Sequence, residues 1–448
     1  MKTNEMHPAA TCGAAPPGRA LRRGARPLVM ALALAAAAAG CSKGKQQDRT
    51  EKDRTEMIKT HVDREWFRQS LVQDNLAHWL SAAPTPNGFF RTNLDRQWRP
   101  AADQTGTLVS QSRMLFVLAT GYEVTGDAAY LEAVRKGAEF LIGHFRDEEC
   151  GGWSWSVSPE GTVLDWNKNS YGHAFVIFGL SHAARVTGEK RFAEAALSCW
   201  EDMKKHLRYA GGGIKPGTNR DFSRVRGGNT QNPMMHLFEA LLALHDATGS
   251  QTVFDDAGEL AEFIFGRLYQ AGGGFLPEQY DEQWKPLPVA DGGYVDLGHQ
   301  FEWAFLLSRA VEKGFPDRYL KIGGRLLDYG MKIARDAANG GIFSSGDYDG
   351  KVIRPGKGWW QQCELLRALV HYAGTRGRED LWPAFGQSLQ FVKANFLDAE
   401  FGGWYGADTA GKTPRGRAGD KGSTWKVGYH DTGMYAEALR LTGGVEAR

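Results

Sequence analysis

The sequence lacks the signatures of several common protein classes. It has only five cysteines in 448 residues, too few and too scattered for a disulfide framework. Cys150, Cys199 and Cys363 read as inert core or loop thiols. No apolar run reaches the roughly 20 residues that a membrane-crossing helix needs. Leu28 to Ala39, an unbroken apolar stretch of 12 residues, would rise only about 18 Å as a helix. No strand–Gly-x-Gly-x-x-Gly–helix context is present, so nothing suggests a dinucleotide or phosphate cradle, and no cofactor is expected. No basic stripe is visible either, which leaves nucleic-acid binding without support. The formal charge of +2 includes five basic residues and one acid in residues 1–40, so the remainder is near −2.

The N-terminal forty residues have a logic of their own. Arg19, Arg22, Arg23 and Arg26 precede the apolar run, which ends in Ala38-Ala39-Gly40-Cys41. Basic region, short apolar run and small-residue site together form an export signal. The final tetrapeptide resembles the lipobox of bacterial lipoproteins, which implies cleavage after Gly40 and lipidation of Cys41. Ser42 at the next position favours the outer membrane. The expectation is therefore an exported chain, lipid-anchored to the cell envelope. Residues 1–40 would be the signal and 41–60 a disordered polar tether, because residues 44–57 hold too few apolar side chains to order themselves.

What is abundant is glycine, at 56 residues, and it is periodic. Gly88-Phe89, Gly152-Trp153, Gly213-Ile214, Gly274-Phe275, Gly341-Ile342 and Gly403-Trp404 recur at intervals of 61 to 67 residues. A second series keeps step: Thr125-Gly126, Thr187-Gly188, Thr248-Gly249, Lys313-Gly314, Arg376-Gly377 and Thr442-Gly443. Two punctuation series with one period indicate a repeat architecture. Each unit holds a helix apolar nearly all round, such as Tyr171–Leu180, and an amphipathic one, such as Phe192–Leu207. The first kind must be enclosed and the second can lie outside. Residues 61–445 are therefore expected to form an all-α (α/α)6 barrel, six inner helices ringed by six outer ones, with short β-hairpins in the Gly-rich loops. Glu65–Leu80 would complete the outer ring. An open solenoid is the alternative.

Inner helices that all run one way place their N-terminal ends at one mouth. Counted back from the turn glycine, Asn232 and Trp360 lie 17 residues before it, His173 and His299 lie 15 before, and Arg113, His236, Glu364 and His430 lie 13 before. Four residues of helix span about 6 Å, so these polar groups form one layer. Burying them is costly unless they are paired or used, and their convergence in an apolar concavity marks a candidate site. His182, His245 and His371, deeper in, read as hydrogen-bonded core residues.

Five segments in this order resemble the N-acylglucosamine 2-epimerase superfamily, which includes cellobiose 2-epimerases and mannose-type aldose–ketose isomerases. They are Ser112-Arg113-Met114, Ser170-Tyr171-Gly172-His173, Asn232-Pro-Met-Met-His236-Leu-Phe-Glu239, Gly298-His299-Gln-Phe-Glu302-Trp303 and Gly358-Trp359-Trp360-Gln-Gln-Cys-Glu364. Lys426-Val-Gly-Tyr429-His430 matches a sixth in part. The resemblance implies that His299 and His430 are the acid/base pair, that Arg113 binds near the substrate carbonyl oxygen, and that Glu302 and Glu364 orient or protonate. His173, Asn232, His236, Trp303 and Trp360 join them as expected substrate contacts. One position departs: relatives often carry an arginine three residues after the last histidine, and here it is Gly433.

Histidine suits removal and return of a C2 proton because its pKa lies near the working pH. Two imidazoles on opposite sides of C2, one neutral and one protonated, permit epimerisation, whereas one base moving the proton to C1 gives the ketose. Arg113 could stabilise the enediolate oxyanion. The partner is then a free reducing mono- or oligosaccharide, and the protein a monomer or homodimer. Two alternatives stand beside this. A glycoside hydrolase or lyase on the same barrel needs two carboxyl groups flanking the bond, in a layer where histidines outnumber acids. A non-catalytic glycan-binding lipoprotein needs the tryptophans but not both His299 and His430. His236-x-x-Glu239 and His299-x-x-Glu302 reverse the Glu-x-x-His order of di-iron bundles, so no metal is expected.

Overall fold

The computed structural model describes residues 53–407 and 418–443. The signal expected at 1–40 and the lipidation expected at Cys41 lie outside the described residues. The tether expected over 41–60 is corrected at its end: residues 53–61 are helical (α1). Ile58 and Val62 anchor this segment, at 2% and 1% exposure. Two apolar anchors in an otherwise charged stretch are enough to dock a helix that composition alone reads as solvated. No described helix is long and apolar enough to cross a membrane.

Six inner helices follow the apolar segments: α4 (Leu108–Thr125), α6 (Ser170–Thr187), α8 (Asn232–Thr248), α10 (Leu297–Glu312), α12 (Trp359–Thr375) and α14 (Tyr429–Leu441). The outer ring is α2 (Arg64–Leu71) with α3 (Ala77–Ala82), then α5 (Ala128–Phe145), α7 (Lys190–Asp202), α9 (Gln251–Phe263), α11 (Arg318–Ile333) and α13 (Trp382–Asn395). Burial separates the rings as the patterning requires. On α6 every residue from Gly172 to Ala184 is buried, whereas α11 buries only Tyr319, Gly323, Leu326, Leu327 and Gly330, a single stripe. The ring closes because α14 packs against both α4 and α2, which settles the choice against an open solenoid.

Both glycine series have a backbone cause. Gly126, at φ 72°, ends α4 in the left-handed conformation, its N–H donating to the Tyr122 carbonyl. Gly152, at φ 66°, lies inside the tight bridge between Arg146 and Trp153. The equivalent bridge recurs at Pro84–Phe90, Arg208–Ile214, Gln270–Phe275, Arg335–Ile342 and Leu397–Trp404. In α10, α12 and α14 the glycine stands one residue further on, after Lys313, Arg376 and Thr442. The α10 helix ends at Glu312, and Lys313 stays right-handed before Gly314 at φ 111°.

Short strands at the mouth fix the entries of the inner helices. β1 (Gly106–Thr107) leads into α4 and pairs with β2 (Ser156–Val157), which continues to β3 (Val163–Asp165). β4 (Lys168–Asn169) pairs with β5 (Gly217–Thr218), and β6 (Asn229–Thr230) pairs with β7 (Gln279–Tyr280). β8 (Val295–Asp296) leads into α10 and pairs with β9 (Ser345–Gly346), which also pairs with β10 (Val352–Arg354). All are antiparallel. Buried charges pin the same loops. Asp147 accepts from Lys168 at 2.8 Å and from Arg220, and Asp398 accepts from Lys421 at 2.8 Å and from Arg96. Asp336 and Lys357 repeat the pairing, also at 2.8 Å. Lys168 and Lys357 sit two residues before α6 and α12, so these two ion pairs tie a helix entry to the preceding loop.

Candidate active site

A cavity of about 410 Å³ opens at the mouth, lined in part by Arg113, Asn232, His236, His299, Trp360 and His430. That size suits a small ligand. A larger surface cleft of about 930 Å³, between α2–α3 and the loop before Gly403, holds Asp398, already paired with Arg96 and Lys421. The titratable groups that converge lie in the smaller cavity.

His299 and His430 both line it, and the Trp360 indole touches both, with ring centroids 5.0 Å and 5.4 Å away respectively. Their environments drive them to opposite charge. His299 Nδ1 donates to Glu278 Oε2 at 2.7 Å. Burial opposes its positive charge, but the charges of Glu278 and Asp296, with the hydrogen bond to Glu278, outweigh burial and push it up to about 10. His430 Nδ1 lies 2.7 Å from Glu364 Oε1. Burial, with the guanidinium groups of Arg113 and Arg367, nevertheless holds this imidazole well below the ordinary histidine range. At neutral pH one imidazole is a cation and the other is neutral.

Glu278 is held in turn. Gln231 Nε2 donates to its Oε2 at 2.7 Å, and the Trp303 indole N–H donates to Gln231 Oε1 at 2.7 Å. Arg113 reaches the cavity wall by donating to the Trp425 carbonyl at 2.9 Å and the Tyr171 hydroxyl at 2.6 Å. The rings of Phe175 and Tyr429 flank it, 4.2 Å and 4.7 Å from Cζ. His236 packs against Tyr171 and Phe175, and burial pushes its imidazole down to about 4. Below the lining lie three buried carboxyls. Glu239 accepts from the Tyr429 hydroxyl. Glu302 has no hydrogen-bond partner for either oxygen among the described residues, and burial together with nearby Glu364 pushes it well above the carboxylate range. Burial likewise raises Glu364 to about 7, with Arg367 opposing.

The structure corrects three expectations. His173 does not reach the cavity. Its Nδ1 donates to the Asn169 carbonyl at 2.7 Å, and its Nε2 accepts from the Trp153 N–H at 3.0 Å, which spends both nitrogens. Trp303, fully buried, packs between Phe238 and Phe265 in the wall. Glu302 faces His236 and Glu364 instead of fixing the His299 tautomer, which Glu278 does. Glu278 was missed because it lies in a loop. Aligned on the loop glycine, the fourth following residue is Thr92, Ser156, Gly217, Glu278, Ser345 and Ala407. The one ionisable member of that set was the available signal.

Two groups offer three ligand atoms within 4.8 Å, His236–Glu239–Glu302 and Glu302–Glu364–His430. Both need Glu302 ionised, and Arg367 Nη1 already stands 3.6 Å from Glu364 Oε2. The chemistry this donor set favours is proton transfer between a cationic and a neutral imidazole, beside a guanidinium that meets developing negative charge.

An α/α barrel with such a mouth is the scaffold of an enzyme, of the epimerase and isomerase class. The sequence matches the N-acylglucosamine 2-epimerase (GlcNAc 2-epimerase) family over residues 88–427, and the chain belongs to that family. It is 24% identical over 403 residues to a cellobiose 2-epimerase of Ruminococcus albus, covering 85% of this chain and 98% of the relative. It is 27% identical over 396 residues to a D-mannose isomerase of Marinomonas mediterranea, covering 84% and 98%. The solved cellobiose 2-epimerase of Spirochaeta thermophila superposes with a TM-score of 0.78 at 22% identity, covering 87% of this chain and 98% of that one.

Proposed function

We propose that the protein is a sugar 2-epimerase or aldose–ketose isomerase acting on a free reducing mono- or oligosaccharide by histidine-mediated proton transfer at C2. The observation that carries this reading is the pair of imidazoles, one cationic and one neutral, that line one cavity, each in ring contact with Trp360. On the open-chain aldose, neutral His430 takes the C2 proton. The C–H electrons form the C1=C2 bond and the carbonyl pair moves onto O1, where Arg113 meets the charge. Cationic His299 returns a proton to the other face of C2, the enediolate collapses to the aldehyde, and the epimer results. Return of the abstracted proton from His430 to C1, with transfer of the O2 proton to O1, gives the ketose in the same site.

The hydrolytic alternative needs two carboxyl groups free to flank a glycosidic bond. Of the two acids lining the cavity, Glu278 is bonded to His299 and Asp296 caps α10 through the N–H groups of Gly298 and His299. Incubation with a panel of reducing sugars in D2O, followed by proton NMR, tests the reading. Loss of the C2 proton signal with appearance of an epimer or ketose is expected; a panel left unchanged overturns it. For location we propose an exported enzyme, lipid-anchored through Cys41, on the sequence pattern of residues 19–42. Acyl chains on the mature N-terminal peptide are expected by mass spectrometry, and a free Cys41 thiol refutes the anchor.

A further inference from the structure

Ten residues before the turn glycine, the inner helices carry Phe116, Phe178, Glu239, Ala304, Arg367 and Gly433. Arg367 on α12 and Gly433 on α14 thus share one depth on neighbouring helices. A side-chain carbon at Gly433 would lie 3.2 Å from Arg367 Cζ, 3.3 Å from Nη1 and 3.5 Å from Nη2. The guanidinium therefore fills the space that any other residue at 433 would claim. On α10 the Phe305 ring centroid is 3.9 Å from Cζ. Arg367 lies outside the cavity lining, with its side chain 12% exposed, beneath the floor that His430 helps to form. Its Nη1 is 3.6 Å from Glu364 Oε2, the oxygen not used by His430.

We propose that Arg367, lodged against the bare backbone of Gly433, is a positioning residue. Its charge fixes Glu364 as the acceptor for His430 Nδ1–H, and so leaves Nε2 of that imidazole as a base toward the cavity. This rests on the reading of His430 as the proton-abstracting group. The charged and titratable groups around His430 are Arg113 from α4, His236 and Glu239 from α8, His299 and Glu302 from α10, Glu364 and Arg367 from α12, and Tyr429 and Asp431 on its own helix. Glu239 and burial both press Glu364 toward its neutral form, and Arg367 is the largest influence opposing them. A neutral Glu364 would donate to Nδ1, and the imidazole proton would move to Nε2, where it blocks proton abstraction.

Arg367→Gln, Arg367→Lys and Gly433→Ala test this. In Arg367→Gln, kcat is expected to fall about 10- to 100-fold, as when a base is mostly in its wrong protonation state, with KM changed less than about threefold. The acid limb of kcat/KM should move to higher pH by about one unit or more, because Glu364 ionises later without its counter-charge. Arg367→Lys should restore the limb, and Gly433→Ala should move it part of the way. A measurement without substrate, the 15N spectrum of histidine-labelled protein at pH 7, should show His430 protonated on Nδ1 in the parent and on Nε2 in Arg367→Gln. An unmoved limb with an unchanged tautomer overturns the proposal, and so does a rise in KM alone. If Arg367→Gln does not fold, Gly433→Ala carries both readouts. Absence of turnover with every sugar sinks the epimerase reading alone, since the tautomer is read without any sugar.

Discussion

His299 and His430 sit in the same cavity, each with a carboxylate 2.7 Å from Nδ1, yet one is held as a cation and the other neutral. The difference lies one layer further out. On the His299 side, Glu278 and Asp296 gather negative charge around the ring. On the His430 side, Arg113 and Arg367 stand close, and Glu364 is itself pressed toward neutrality by burial. An imidazole–carboxylate contact therefore does not define a protonation state; the charges behind the carboxylate do. Acid and base roles follow from environments pushed apart, not from residue type.

The most severe way to break this contrast is to remove either ring. His299→Gln and His430→Gln should each lower kcat by about 10³-fold, within the usual range for a general acid or base, with the circular dichroism spectrum unchanged. Retained turnover in one variant removes that ring from the chemistry. Glu278→Gln should instead make the two sides more alike. With its nearest counter-charge gone, His299 should titrate closer to the ordinary value near 6.5, so the basic limb of kcat/KM moves to lower pH. The rate at pH 8 should fall about 10-fold or more.

The same substitution sharpens the contrast through stability. A group whose pKa is raised on folding contributes stability that is fully present below its unfolded value and fades as pH rises toward the folded one. For His299 that window runs from the ordinary histidine value, 6.5, up to about 10. The melting temperature of the parent should therefore decline more steeply across it than that of Glu278→Gln; parallel curves would contradict the charge assigned to His299. The smallest catalytic effect is expected at His173. His173→Phe should cost about 1–3 kcal/mol through orphaned hydrogen-bond partners, seen in urea unfolding, while kcat stays within about threefold.

The barrel was legible in the sequence because its two glycine series mark backbone turns that recur in every unit, and the first and last half-units complete one ring. The site was legible in depth but not in direction. On α6, α8 and α12, residues 17 before the turn glycine (Tyr171, Asn232 and Trp360) reach the cavity, whereas His173, 15 before, turns its ring to the Asn169 carbonyl and the Trp153 N–H. His299 shares that offset yet lines the cavity, so the offset from the glycine alone does not fix which way a side chain points. Glu278 and Arg367 were hidden for another reason. Partners such as these are chosen across elements, 21 residues away in a loop for Glu278 and on an adjacent helix for Arg367, where no register along one helix reports them.

The chain of contacts from Trp303 through Gln231 and Glu278 to His299 joins the barrel wall to the proposed proton donor. Acid strength at the mouth is thereby made a property of the wall's packing. A change confined to the indole or the amide, touching no ligand, can retune the pH at which the enzyme works while the shape of the binding chamber is preserved.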